Sequence, residues 1–252
     1  MTRRRFFVPL GNIRGGIAWL SSDQVHHLRD VLRLRPGDEV EIFDGNDAGY
    51  LGRVETAGSE WIVGSLRKLE TTTESTLRII LALALTKSDR FDWTLQKSTE
   101  LGVQEIVPLE ARFSSVRLTE ARLPARMERW RRIVQEASKQ CRRVSVPLIH
   151  PVCPANDFLT GADFPEHSRL FFDEKSPECW GRDIPGSDRL VLCIGPEGGW
   201  DSAEVEAAGR SGYRILNLGP RILRAETAAV TALAILQFEW GDLGQHGRGK
   251  RA

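Results

Sequence analysis

The stretch Asn217-Leu-Gly-Pro-Arg-Ile-Leu-Arg-Ala-Glu-Thr-Ala-Ala-Val230 runs from a strand-like segment through a Gly-Pro corner into an almost wholly apolar helix. A similar corner lies upstream, in Cys193-Ile-Gly-Pro-Glu-Gly-Gly-Trp200. In an open parallel sheet, ligands bind at the carboxyl ends of the strands. The two corners therefore predict two loops that line one crevice, which we interpret as the active site.

Around these corners, apolar runs alternate with helical patterns. The runs are typical of strands buried on both faces, and they cover 77–85, 103–109, 170–173, 190–194 and 213–218. Helices are expected over 89–101 and 124–143, after the N-cap Asp201, and beyond Arg224. This alternation predicts an α/β fold with a mainly parallel sheet.

The first 70 residues follow a different pattern. Short strand-like runs at 17–20, 39–43, 49–54 and 61–66 surround one helical pattern at 22–33, and Asp44-Gly-Asn-Asp47 is a hairpin turn. They predict a small, closed or partly closed β-barrel. The polar stretch 71–76 is interpreted as a linker, so we expect domains at 1–72 and 73–243 and a loose basic tail at 244–252.

Charge is unevenly distributed along the chain. The net charge is only +1, yet 112–143 holds ten Lys or Arg against three Glu, which gives 10 − 3 = +7. Many of these basic residues share one face of the helix predicted at 124–143. That face could bind a polyanion, or it could simply be solvated.

Metal and membrane sites are not expected. The 4 cysteines and 5 histidines form no metal-ligand spacing, and His150 with Cys153 alone cannot fill a zinc site. The apolar run at 6–8 stops at Pro9, too short for the core of a signal peptide, and no run is long enough to span a membrane. We expect a cytoplasmic protein.

The glycines at 195–199 do not match a phosphate-binding loop. No Lys-Ser/Thr pair follows them, and there is no G-x-G-x-x-G pattern. Pro196 lacks an N–H, and Glu197 would repel phosphate. By itself such a turn could be merely structural.

The second corner favours a functional interpretation. The helix after Arg224 is apolar on every side over 228–236, so it must be covered all round, and we expect a dimer. Arg224 and Glu226 lie at its mouth. Alternatively, Glu226 only complements the helix dipole and Arg224 pairs with it.

Taken together, the two corners resemble the C-terminal signature of the SPOUT methyltransferase superfamily. The segments Arg4-Arg-Phe-Phe-Val8, His26-His-Leu-Arg-Asp-Val-Leu-Arg33 and Lys97-Ser-Thr-Glu-Leu-Gly102 extend the resemblance to the bacterial family that methylates ring N3 of one uridine in small-subunit ribosomal RNA. The resemblance implies a PUA-like barrel, an α/β domain tied in a trefoil knot, a homodimer and S-adenosylmethionine as cofactor, without a metal.

The resemblance also implies site residues. Arg224 and Glu226 would be catalytic: Arg224 would hold a uracil oxygen, and Glu226 would orient Arg224 or serve the proton transfer. The cofactor would contact Phe172, Glu174, Ile194, Gly195, Pro196, Gly199, Leu218, Gly219, Leu223 and Thr227. The RNA backbone would be bound by Arg4, Arg5, His26, Arg29, Arg33, Arg126, Arg129 and Arg143.

One segment departs from the family pattern. Before Pro147, family members usually carry a glycine and a second arginine where this chain has Arg142 and Ser145. A substrate contact there is either lost or supplied by Arg142. His26 and His27 could act as an acid/base pair, but a packed or RNA-facing position is the simpler interpretation.

Two other functions are compatible with the residues. One is an RNA-binding or ribosome-assembly factor that retains a cofactor pocket without turnover. The other is a nucleotide-dependent α/β enzyme. The sequence does not decide which nucleotide is the target, or whether naked RNA or the assembled small subunit is the substrate.

Overall fold

The computed structural model describes residues 4–57, 60–70, 73–161, 164, 166–181 and 187–244. The chain divides into two compact units, the first formed by 1–74 with 138–146 and the second by 75–137 with 147–252. The segment 138–146, which lies within the predicted domain 73–243, thus belongs to the first unit. The predicted tail lies outside the described residues from position 245 onward.

The first unit is built on a six-stranded sheet. Its strands are β1 (Arg4–Phe7), β2 (Ile13–Arg14), β3 (Ile17–Trp19), β4 (Glu39–Phe43), β5 (Gly49–Ala57) and β6 (Glu60–Lys68). They follow the order β1-β4-β5-β6-β3-β2, with β1 parallel to β4 and the other neighbours antiparallel. Inward side chains of these strands form the core together with Val8 and Leu28: Phe6, Ala18, Val40, Ile42, Val54 and Val63.

The helix predicted at 22–33 is shorter and less regular than expected. α1 spans Ser22–His26, and the chain continues as a π-helical turn over His27–Val31. A capping box explains where α1 begins, because the Ser21 hydroxyl accepts from the Gln24 N–H and the Gln24 side chain accepts from the Ser21 N–H.

The second unit alternates strands and helices, as predicted. Its strands are β7 (Arg78–Ala84), β8 (Glu105–Glu110), β9 (Leu148–Ile149), β10 (Cys153–Pro154), β11 (Ser168–Phe172), β12 (Arg189–Ile194) and β13 (Arg214–Leu216). Its helices are α2 (Ser88–Glu100), α3 (Leu123–Cys141, whose last residues belong to the first unit), α4 (Ala155–Gly161), α5 (Ser202–Arg210) and α6 (Ala225–Glu239).

All described pairings in this second sheet are parallel. The strands follow the order β10-β8-β7-β12-β11-β13, with β9 beside β8. The register aligns Phe172 with both Ile194 and Leu216, so β11, β12 and β13 end side by side. The α/β class is confirmed, and the predicted corners follow two of these three strand ends.

Within the described ranges, no helix is both long and apolar enough to cross a membrane. The 4 cysteines are free thiols.

Candidate functional site

A cavity lies at the carboxyl ends of β11, β12 and β13. Its lining includes every residue predicted for the cofactor except Thr227, which is exposed on the first turn of α6. Seven other residues complete the lining, namely Asp173, Trp200, Leu216, Asn217, Arg221, Ala225 and Ala228. Topology explains the cavity, because these three strands lie side by side in the sheet and end level with one another.

Trp200 forms one wall of the cavity. Its indole N–H donates to the Phe172 carbonyl at 2.9 Å, and its ring packs on Phe171 with centroids 4.5 Å apart. A Cβ at position 195 would lie 2.7 Å from the indole nitrogen, so only glycine fits at Gly195. In the sequence, the only indication that Trp200 belongs to the site is its position directly after the glycines of the first corner.

Asn217 orders the second corner. Its side-chain oxygen accepts from the Gly219 N–H at 2.8 Å, and its amide donates to the Ser176 carbonyl at 2.7 Å. Gly219 has φ 111°, and Gly199 in the first corner has φ 74°. A backbone with positive φ favours glycine, so both corners depend on a glycine for their shape.

The start of α6 carries the two predicted catalytic residues. Arg224 is the N-cap residue, its backbone is extended, and its side chain is exposed and makes no capping hydrogen bond. Glu226 Oε1 lies 3.8 Å from Nε of Arg90, whereas the described contacts of Glu226 include none with Arg224. A pairing of Arg224 with Glu226, one of the alternatives that the sequence left open, is therefore not among the contacts of the described residues.

Arg90 is a site residue that the sequence interpretation missed. It lies in the first turn of α2, which follows β7, and β7 is the neighbour of β12 in the sheet. Its guanidinium also contacts the carboxylate of Glu197 in the first corner. Its only sequence signal is its place just after the end of a buried strand.

Two family models match the chain. One, described as an RNA methyltransferase domain, covers residues 73–237, and the other, described as an RNA methyltransferase PUA domain, covers residues 20–61. The chain belongs to this RNA methyltransferase family. The combination of a PUA-like unit with a SPOUT-type α/β unit, which the resemblance implied, is confirmed, while the knot stays a prediction.

Named relatives agree with the family models. Ribosomal RNA small subunit methyltransferase E of Bacillus subtilis is 30% identical over 87% of this chain and 89% of its own length. The protein of the same name from Rickettsia conorii is 31% identical over 90% of each chain. The Neisseria gonorrhoeae enzyme of this name, solved bound to S-adenosyl methionine, has a TM-score of 0.86 and 33% identity, and the match covers 96% of this chain and all (100%) of that one.

Some of the RNA-contacting residues predicted on the methyltransferase's first unit are exposed, and others are buried. Arg4, His26, Arg29 and Arg33 are at the surface. Arg29 donates to the Asp30 carboxylate at 2.7 and 2.9 Å, and His26 Nδ1 lies 2.7 Å from it. The hydrogen bonds from Arg29 lower the pKa of Asp30 to about 2. Part of the positive charge at this surface is therefore neutralised within the first unit itself.

Arg5 and Arg143 require a correction, because the structure buries both and leaves them 7% and 3% exposed. Arg5 donates to Glu41 at 2.9 Å and to the carbonyls of Ser138 and Arg143 at 3.1 and 2.7 Å. Arg143 Nε donates to Glu74 at 2.9 Å. As placed, these arginines hold the first unit together and offer no surface to RNA.

Two further predicted RNA contacts lie on α3 in the second unit. Arg126 donates to the Ser88 hydroxyl, and Arg129 donates to the Asp92 carboxylate at 2.8 Å. Arg129 keeps 63% of its side chain exposed. Arg129 thus retains surface that could contact RNA while its guanidinium is oriented by α2.

Arg142, which stands where the family usually has glycine, has φ 68°. This left-handed backbone after a helix is the conformation that glycine adopts most readily. The Arg142 guanidinium donates to the Glu41 carboxylate at 2.9 Å, and the backbone carbonyl of Arg142 accepts from the Thr73 hydroxyl at 2.7 Å. The family glycine at this position therefore has a backbone explanation that requires no substrate contact.

Proposed function

We propose that this methyltransferase transfers the methyl group of S-adenosylmethionine to ring N3 of one uridine in small-subunit ribosomal RNA. Its family supports methylation of RNA, and the names of its relatives support the small ribosomal subunit. The observation that carries the proposal is the cavity at the ends of β11, β12 and β13 in the methyltransferase unit.

The cavity's residues fit this cofactor. Its charged lining residues are Asp173, Glu174 and Arg221, and glycines stand at its corners. Carboxylates can accept hydrogen bonds from ribose hydroxyls and are compatible with a cationic sulfonium. Glycines let backbone amides approach an adenine edge closely. A phosphate site would instead need convergent N–H groups or a lysine, and carboxylates would repel it.

The predicted cofactor residues are proposed as its binding site. Phe172, Ile194, Leu218 and Leu223 would supply apolar contact, Glu174 an acceptor, and Gly195, Pro196, Gly199 and Gly219 the close backbone approach. Thr227 does not line the cavity, and we propose it as a further contact from the first turn of α6.

The reaction needs alignment and loss of one proton. Bound S-adenosylmethionine supplies an electrophilic methyl group, so the protein must orient the uracil ring and help N3 lose its hydrogen. Arg224 is exposed at the mouth of α6 and can donate to a uracil oxygen, where negative charge develops. Of the two roles open for Glu226, proton transfer is favoured, because its ion-pair partner is Arg90 rather than Arg224.

We further propose a homodimer in which α6 is covered by a second copy. One face of α6 is buried in its own unit, at Ala229, Ala232, Leu233 and Leu236. Phe238 near its end is 63% exposed. A dimer that covers this apolar side would remove it from water. Sedimentation equilibrium should give twice the chain mass, and a monomer at micromolar concentration would contradict this part of the proposal.

RNA would bind to basic residues that keep exposed surface. Arg4, His26, Arg29 and Arg33 on the first unit and Arg129 on the second are exposed, and the half-buried Arg126 is a further candidate for a phosphate contact. We place this activity in the cytoplasm, where ribosomal RNA would be available.

The test is transfer of a labelled methyl group to ribosomal RNA that lacks the modification, followed by mass spectrometry of the nucleosides. Naked RNA and assembled small subunits are offered in parallel. N3-methyluridine at one site is the expected product, and methylation of another atom would overturn the proposal. Binding of S-adenosylhomocysteine without any transfer would indicate a non-catalytic RNA-binding factor, and binding of ATP or NAD instead would indicate a nucleotide-dependent enzyme.

A further inference from the structure

Arg90 joins the two corners that border the cavity. Its guanidinium contacts the Glu197 carboxylate, and its Nε lies 3.8 Å from Glu226 Oε1. Glu197 belongs to the first corner, and Glu226 lies on α6 between the lining residues Ala225 and Ala228. One side chain from α2 therefore connects a loop that borders the cavity to the helix that carries the predicted catalytic residues.

The three side chains are sheltered from solvent. They are 29% exposed for Arg90, 26% for Glu197 and 16% for Glu226. One cation between two carboxylates leaves a net charge of −1 in a place where water screens poorly. Without Arg90, no described cation would lie between the two carboxylates, so they would repel each other. Glu226 would also lose its described ion-pair partner.

The second oxygen of Glu226 makes no such contact. Oε2 is shielded from solvent and has no hydrogen-bond partner among the described residues. A buried acceptor that lacks a donor costs free energy, so a ligand that displaces the groups covering Oε2 and brings an N–H to it would remove that cost. The uracil N3–H is such a donor.

We propose that Arg90 is a positioning residue that holds Glu226 through Oε1, so that Oε2 receives the proton of the uridine N3–H. This inference rests on the proposed function. The N3–H bond breaks with its proton passing to Oε2, and the electron pair left on N3 forms the bond to the methyl carbon. The carbon–sulfur electron pair stays on sulfur, which becomes neutral, so charge and atoms balance without another reactant.

The experiment is a double-mutant cycle on Arg90 and Glu226. Arg90→Ala and Glu226→Gln each lower kcat, by about 10² for Glu226→Gln, the usual scale for general base catalysis. Because Arg90 acts through Glu226, the double variant is no slower than Glu226→Gln alone. Arg90→Lys restores part of kcat, since an ammonium keeps the charge but not the planar fork. The KM for S-adenosylmethionine stays within about twofold.

Lys97→Ala is the matched control. Lys97 lies on the same helix, is 31% exposed and pairs with Glu100 at 2.8 Å. Its removal leaves kcat unchanged. If the wild-type protein transfers no methyl group to any RNA, the proposed function fails. If the wild type is active, three results would each overturn this inference alone. These are an Arg90→Ala variant with unchanged kcat, losses in kcat that multiply in the double variant, and a loss of cofactor affinity alone, because Arg90 would then merely stabilise the first corner.

Discussion

Trp200 donates its indole N–H to the carbonyl oxygen of Phe172 at 2.9 Å, and this bond ties the first corner to the end of β11. Phe172 is the last residue of β11, and its neighbours in register are Ile194 and Leu216. The bond therefore fixes the wall of the cavity relative to all three strand ends. Its geometry depends on the absence of a side chain at Gly195.

Gly195→Ala should damage the cavity. The added methyl would lie 2.7 Å from the Trp200 indole nitrogen, so the ring must move and its hydrogen bond to Phe172 is lost. We expect a fall of about tenfold or more in affinity for S-adenosylhomocysteine, about 1.4 kcal/mol, measured by calorimetry. Overpacking should also lower the free energy of unfolding by about 1–3 kcal/mol.

Gly209→Ala is the control for that change. Gly209 lies inside α5, and the nearest atom to an added methyl is Ile215 Cδ1 at 3.7 Å. Alanine is favoured over glycine in a helix by roughly 0.5–1 kcal/mol, so this variant should be slightly more stable and bind the ligand normally. Equal affinities for the two variants would mean that Trp200 does not shape the site.

Arg224→Lys should separate turnover from cofactor binding. Lysine keeps the positive charge but cannot donate two parallel hydrogen bonds, so stabilisation of the developing oxyanion is lost. We expect kcat to fall by roughly 10²–10³, with unchanged affinity for S-adenosylhomocysteine. Arg210→Lys, at an exposed ion pair with Glu206, should change neither quantity. Full turnover in Arg224→Lys would remove Arg224 from the mechanism.

Arg143→Ala should destabilise the first unit strongly. Arg143 is 3% exposed and donates to Glu74 at 2.9 Å, so its removal takes a cationic partner away from a carboxylate that is only 10% exposed. Breaking a buried pair typically costs about 3–5 kcal/mol, which urea unfolding would measure.

Arg142→Ala should cost less than about 1 kcal/mol, because its pair with Glu41 is half exposed and Arg5 still neutralises that carboxylate. Alanine keeps the left-handed backbone strain of Arg142, which makes this neighbour a fair comparison. Similar losses for the two variants would contradict the structural role assigned to Arg143.

Alkaline pH should destabilise the second unit through Cys193. Burial raises the pKa of this thiol far above its usual range. The unfolded thiol loses its proton above about pH 8.5, while the folded thiol keeps it. The contribution of Cys193 to the free energy of unfolding is therefore full below about pH 8.5 and falls as the pH rises. We expect a loss of about 1.4 kcal/mol per pH unit between about pH 9 and 10.5. Cys193→Ala, compared with wild type in urea at each pH, should lack that slope.

Local patterns predicted most elements of both units. The capping pair at Asp201 and Glu204 begins α5 as expected, and β4 spans the predicted run 39–43. The helix at 22–33 was the clearest miss, because apolar spacing does not distinguish an α-helix from one that passes into a π-turn after His26. The burial of Arg143 was also not predicted, since charge in a sequence does not reveal which guanidinium is buried.

Hydrophobic periodicity and the glycine and proline residues were enough to predict the α/β class and the two corners, because these signals act within a few residues. Most residues of the cavity were predicted from the resemblance to the family. The pairing of Arg90 with Glu197 and Glu226, and the burial of Arg5 and Arg143, became visible only in the folded chain. Each of these contacts joins residues far apart in the chain, so it depends on how helices and strands pack and not on any local pattern.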